Sequence, residues 1–229
     1  MSDKFAMQSW ALKRYDFPMP IRYHLSATEG SGLVLCLHGY QDHALSMIRR
    51  LGWWEATNLP FQILAINGPF PVPIWTKEGF TEAYSWYFRD TSRDLEFVSP
   101  ATTASRLKLL LDDLGLGARP KVILGFSQGG FLAPYLANQL HEVRGIIGLG
   151  CGYPVDIYAK CKPLVVHAIH GAKDERIPFK NSQAEFAEVL KVGHRGEFHL
   201  LPELVHRVEV SLDPLVRRLA LACFQRAGD

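Results

Sequence analysis

The sequence predicts an α/β fold, a mostly parallel sheet flanked by helices on both faces. Three observations point there. Apolar runs such as Leu33-Val34-Leu35-Cys36-Leu37 and Lys121-Val122-Ile123-Leu124 are continuous rather than alternating, as in strands covered on both faces. Helical stretches separate them, with Leu107, Leu110, Leu111 and Leu114 at i, i+3, i+4, i+7. Short connections carry Gly, Pro and Asp where the strands end.

Taken in order, residues 1–15 read as an arm or a first turn of helix. They mix charges with aromatics and have no signal-peptide core. Residues 21–25 alternate and suit an edge strand, closed by Glu29-Gly30-Ser31-Gly32. The strand 33–37 runs into His38-Gly39-Tyr40-Gln41-Asp42. A helix is expected across 43–57 and a strand over 61–66. Residues 67–89 read as an irregular loop, with Pro69, Pro71, Pro73 and a heavy aromatic load. A loop that long in a compact domain is more often functional than filler. The helix from Ser99 ends at Gly115 and Gly117. A strand from Lys121 then meets Gly125-Phe126-Ser127-Gln128-Gly129-Gly130 and a helix at 131–137. Its Pro134 is placed near the first turn, where a missing N–H costs little. Strands at 145–149, 164–169 and 197–201 follow, with a helix across 179–191. Leu212, Leu215, Val216, Leu219 and Cys223 give a closing helix one apolar face. No repeat or linker divides the 229 residues, and the connections are too short for an inserted cap, so 1–229 reads as one domain.

Composition narrows the function classes. A hydrophobic content of 48% and a charged content of 21% belong to a soluble globular chain. The formal charge is +2 and no basic run is dense, so nucleic acid is not an expected partner. No apolar stretch approaches the ~20 residues of a membrane span. Cys36, Cys151, Cys161 and Cys223 are widely spaced, without Cys-x-x-Cys, which reads as free thiols in a reducing compartment, the cytoplasm by default. Oligomeric state leaves no mark in the sequence.

The chemistry centres on Ser127. Strand, tight Gly-x-Ser-x-Gly turn and helix make a nucleophile elbow; the pattern is short, and its place between strand and helix is what makes it specific. A serine hydroxyl needs a base, and the base needs a third group to fix its tautomer. In chain order the acid and the base follow the nucleophile. Asp174 comes after the strand 164–169, in His170-Gly171-Ala172-Lys173-Asp174, and His206 follows the last strand. The plainer readings are a turn or cap role for Asp174 and a surface role for His206. Asp156 falls in the preceding crossover, His199 lies within a strand, and His194 precedes it. His141, His167 and His170 come before or beside the acid. His38 reads as a brace for the oxyanion loop. The oxyanion donors are expected to be the backbone N–H of Gln128, after the nucleophile, and of Tyr40, after His38-Gly39. Among the aromatics of 67–89, Trp75, Phe80 and Trp86 are candidates to wall an acyl site. An aromatic-rich stretch can equally be core, and Trp86, followed by Tyr87 and Phe88, is expected on that side. No two histidines show ligand spacing on one element, so a metal is not expected.

Leu37-His38-Gly39-Tyr40-Gln41-Asp42, Gly125-Phe126-Ser127-Gln128-Gly129-Gly130, His170-Gly171-Ala172-Lys173-Asp174, His206 and the pair Trp86-Tyr87 resemble the successive motifs of the phospholipase/carboxylesterase family. That family includes the acyl-protein thioesterases, and the resemblance spans about residues 33–225. It implies an α/β-hydrolase fold without a cap domain. It also implies a cofactor-free serine hydrolase acting on short acyl esters, thioesters or lysophospholipids. One difference stands out: Tyr40-Gln41-Asp42 replaces the family's commoner Leu/Tyr-Gly-Asp. Amidase, peptidase or lactone-hydrolase activity on the same scaffold stays open, as does ligand binding without turnover.

Overall fold

The continuous apolar runs form one seven-stranded sheet. The computed structural model describes residues 20–225 apart from 28–29, 31, 57, 91–92 and 94; the arm expected over 1–15 lies outside the described residues. In chain order the elements begin with β1 (Tyr23–Leu25), β2 (Leu33–Leu37), α1 (Ala44–Arg50) and β3 (Gln62–Ile66). Six short strands follow: β4 (Phe70–Pro71), β5 (Ile74–Thr76), β6 (Gly79–Thr81), β7 (Tyr84–Ser85), β8 (Phe88–Asp90) and β9 (Leu95–Val98). Then come α2 (Pro100–Asp113), β10 (Lys121–Phe126), α3 (Gln128–Ala137), β11 (Val143–Leu149) and α4 (Val155–Tyr158). The chain closes with β12 (Val165–Gly171), α5 (Phe179–Lys191), β13 (Phe198–Leu201) and α6 (Asp213–Gln225). The sheet order is β1-β3-β2-β10-β11-β12-β13, parallel throughout except for β1, which runs antiparallel to β3.

Alternate residues of the central strands feed two cores. Val34, Cys36, Val122 and Leu124 pack with Met47 of α1 and with Val216 and Leu219 of α6. Leu33, Leu35, Leu37 and Ile123 pack on the other face with Leu107 and Leu111 of α2 and Leu132 and Leu136 of α3. Full burial of such side chains stabilises by about 1.5–3 kcal/mol each, which is why the strands tolerate no polar alternation.

Three expectations need correction. The helix expected across 43–57 stops at Arg50, because Gly52 takes a left-handed φ of 73° and the Trp53 N–H donates to the Ile48 carbonyl at 2.8 Å. The helix expected at 131–137 begins at Gln128: the N–H groups of Gly130 and Phe131 both donate to the Ser127 carbonyl, so the elbow is itself the first turn. Pro134 therefore lies in the helix interior, at the cost of one backbone bond. The loop expected over 67–89 is built of antiparallel pairs, β5 with β6 inside β4 with β7, then β8 with β9. Gly79, at φ 133°, closes the inner turn. Among the described residues this segment and α2 make up the whole excursion between β3 and β10.

Candidate active site

Ser127 joins β10 to α3 at φ 49° and ψ −116°, a conformation costly for any residue with a Cβ. Its neighbours explain how the turn survives. A Cβ on Gly125 would stand 2.5 Å from the Gly129 carbonyl oxygen, and one on Gly129 would overlap the Leu37 carbonyl. The Ser127 N–H donates to Leu149 of β11 at 2.9 Å, which pins the turn from the other side.

Loops at the carboxyl ends of β12 and β13 bring the other two residues to it. His206 Nε2 lies 3.0 Å from Ser127 Oγ, and His206 Nδ1 lies 2.7 Å from Asp174 Oδ2. A carboxylate can only accept, so Nδ1 carries the proton and Nε2 faces the hydroxyl as the acceptor. Asp174 is fixed in turn: its Oδ1 accepts from the N–H groups of Arg176 at 3.0 Å and Ile177 at 2.9 Å. His170, 3.4 Å from Asp174 Oδ2, donates through Nε2 to the Ile177 carbonyl. Gly150, at φ 49°, lets the loop after β11 close on the pair, since a Cβ there would lie 3.2 Å from Asp174 Oδ2 and 3.4 Å from His206 Nδ1. Phe126 covers the imidazole, with ring centroids 4.9 Å apart.

The loop after β2 lies beside the nucleophile: a Cβ on Gly39 would stand 3.5 Å from Ser127 Cβ. Among the described residues neither the Tyr40 nor the Gln128 N–H has a hydrogen-bond partner. The loop is held by the exchange of N–H groups between residues 41–42 and Tyr84, and by an Arg50–Asp42 ion pair at 2.9 Å. Gln41 takes a left-handed φ of 55° at the position where the family pattern carries glycine. His38 is buried and neutral: Nδ1 donates to the Gly39 carbonyl and Nε2 accepts from Gly68 N–H at 2.9 Å. Burial, the largest cause, lowers its pKa to about 4.

The side chain of Gln128 clamps the segment after β7, an anchor the sequence does not show. Its Oε1 accepts from Trp86 N–H at 3.0 Å and its Nε2 donates to the Tyr87 carbonyl at 2.8 Å. Trp86 is fully buried beneath the site, so it supports the loop instead of lining a pocket. Trp75 and Phe80 pair edge to face on the β5–β6 hairpin and are 76% and 65% exposed. They line none of the space next to Gln128. A groove of about 400 Å³ there is walled by Tyr40, Gln128, Tyr87, Phe88 and Phe97, with Arg89 and Asp90 at the same wall. Phe97 lies on β9, outside the aromatic stretch 67–89, and the β8–β9 pairing brings it back.

The family model for phospholipase/carboxylesterase proteins matches residues 25–212. The crystal structure of esterase PE8 superposes with a TM-score of 0.67 at 22% identity, over 90% of this chain and 98% of that one. Acyl-protein thioesterase 2 of Zea mays gives a TM-score of 0.66 at 16% identity, covering 89% and 99%. A carboxylesterase from Mesorhizobium loti gives 0.66 at 19%, covering 90% and 98%. At these identities the likeness establishes the fold, that of the α/β hydrolases. No curated protein matches the chain by sequence.

Proposed function

The chain belongs to the phospholipase/carboxylesterase family, and within it we propose a serine carboxylesterase or thioesterase that cleaves small acyl substrates through Ser127, His206 and Asp174. The observation that carries this reading is the unbroken relay from Ser127 Oγ through His206 to Asp174, at 3.0 and 2.7 Å. Ser127 Oγ attacks the acyl carbonyl as His206 Nε2 takes its proton. Asp174 orients the imidazole and offsets the charge it acquires. The tetrahedral oxyanion forms between the N–H groups of Tyr40 and Gln128, with the N-terminus of α3 aimed at it. His206 then protonates the departing alcohol or thiol. Water, deprotonated by the same nitrogen, releases the acid from the acyl-enzyme. The groove beside Gln128, walled chiefly by aromatic rings, receives the acyl chain.

No described helix is long and apolar enough to cross a membrane. All four cysteines are free thiols, which suits a reducing cytoplasm.

Two measurements test this. A fluorophosphonate should label Ser127 and no other serine, since only an activated hydroxyl attacks phosphorus quickly. A chain-length series of p-nitrophenyl esters and acyl thioesters should be hydrolysed by the wild type and not by Ser127→Ala. An adduct elsewhere, or turnover that survives Ser127→Ala, overturns the assignment.

A further inference from the structure

Away from Ser127, His167, Glu197 and His199 bring three ligand atoms within 4.8 Å of one another. His167 is a buried residue of β12. His199 lies on the neighbouring edge strand β13, opposite Ile169, and Glu197 stands two residues before it, on the same face by strand period. The two imidazole centroids are 6.1 Å apart. His199 Nε2 is 3.3 Å from Glu197 Oε2, yet this buried atom makes no hydrogen bond among the described residues. The Glu197 side chain is largely exposed and opens the group to solvent.

We propose that His167, Glu197 and His199 form a binding site for a divalent transition-metal ion of the Zn²⁺ class, clamping the edge strand β13 to β12. Two imidazole nitrogens and one carboxylate oxygen suit Zn²⁺, Co²⁺ or Ni²⁺; Ca²⁺ and Mg²⁺ favour all-oxygen cages, and Cu⁺ favours thiolate. Ligands about 2.1 Å from a tetrahedral ion stand roughly 3.4 Å from one another, so the widest gap in the group must close by up to about 1.4 Å. His167 is held by the core, whereas Glu197 and His199 lie at the sheet edge and can supply that movement. Arg218 of α6 sets a positive charge near His199, and Glu197 sets a negative one. The fourth position is left to water. The site is separate from the relay, although β13 leads within a few residues to His206, so an ion here would steady the strand that carries the base.

Metal-free protein titrated with Co²⁺ should develop the d–d absorption of a low-coordinate nitrogen and oxygen site, saturating at one equivalent. Zn²⁺ should displace the Co²⁺ and raise the melting temperature. His199→Gln and Glu197→Gln, both near the surface, should fold normally and bind Co²⁺ about tenfold or more weakly. His206→Ala should bind it as the wild type does. Absence of the Co²⁺ bands, bands that survive His199→Gln unchanged, or bands lost in His206→Ala would each overturn the assignment.

Discussion

The indole N–H of Trp86 donates to the main-chain carbonyl of His38 at 2.8 Å, and the two rings lie 4.8 Å apart. Through this contact the segment after β7 holds the loop after β2 beside Ser127. Thr103 of α2 adds a hydroxyl donor to the Trp86 carbonyl at 2.6 Å, so the helix, the segment after β7 and the loop after β2 form one hydrogen-bonded unit. Trp86→Phe keeps most of the packing and leaves the buried His38 carbonyl short of a donor. It should cost about 1–3 kcal/mol and lower kcat more than it raises KM. Trp86→Ala should cost about 3–5 kcal/mol. Thermal melts beside ester kinetics check both.

Removing His206, the proposed base, should be far more damaging than removing other histidines. His206→Ala should lower kcat on the order of 10³-fold or more, and Asp174→Asn by a comparable factor, because the wrong tautomer then faces the hydroxyl. His199→Ala should keep most of the activity. If His199→Ala is inactive while His206→Ala turns over, the base is misassigned.

Gln41→Gly should stabilise the protein. A side chain in the left-handed region costs about 1–2 kcal/mol, while the added backbone freedom of glycine in the unfolded chain costs about 0.5–1 kcal/mol. The balance favours glycine by about 1 kcal/mol, readable as a rise in melting temperature. An unchanged or lower value would mean that the Gln41 side chain earns its place by contacts.

Stability should fall at both ends of the pH range. Between pH 6.5 and about 4 the unfolded chain binds a proton that buried His38 refuses, so stability drops as pH falls, by on the order of 3 kcal/mol. His38→Gln should flatten that acid limb. In alkali, burial holds Cys151 at about 12 and Cys161 at about 11, and pushes Cys36 higher still. The unfolded thiols lose their protons first, so stability falls as pH rises past about 8.5. Lys121, lowered to about 8 by burial, acts in the opposite direction between there and its unfolded value. Three thiols outweigh one amine. Melts from pH 8.5 to 11 should decline, and Cys36→Ala should lessen the slope.

Chain-length preference should follow the groove and not the hairpin. Trp75→Ala and Phe80→Ala, on exposed positions, should change stability by less than about 1 kcal/mol and leave the acyl profile intact. Phe97→Ala should shift the preferred acyl length, with each methylene worth about 1–3 kcal/mol at most. A shifted profile in Trp75→Ala would place the hairpin over the substrate.

Much of this molecule was legible without coordinates, and the reason is local. Unbroken apolar runs report burial on both faces, so β2, β10 and β12 stood out, and the spacing of Leu107, Leu110, Leu111 and Leu114 reported α2. Ser127 was legible because a turn that tight needs Gly125 and Gly129 beside it. Asp174 and His206 followed from their order after strands. Other features depended on pairing between distant segments. Trp75, Phe80, Trp86 and Phe97 look alike in sequence, since an aromatic residue carries no local sign of whether it will be buried, exposed on a hairpin or turned into a groove. The pairs β5–β6 and β8–β9 decided that. The clamp made by the Gln128 carboxamide needs Trp86 and Tyr87 brought back across α2. The left-handed Gln41 is held by the bonds that its own N–H and the Asp42 carbonyl make with Tyr84. His167 meets Glu197 and His199 only because β12 and β13 lie side by side in one particular register. Periodicity tells which residues leave water; register tells which of them meet, and only the folded chain sets the register.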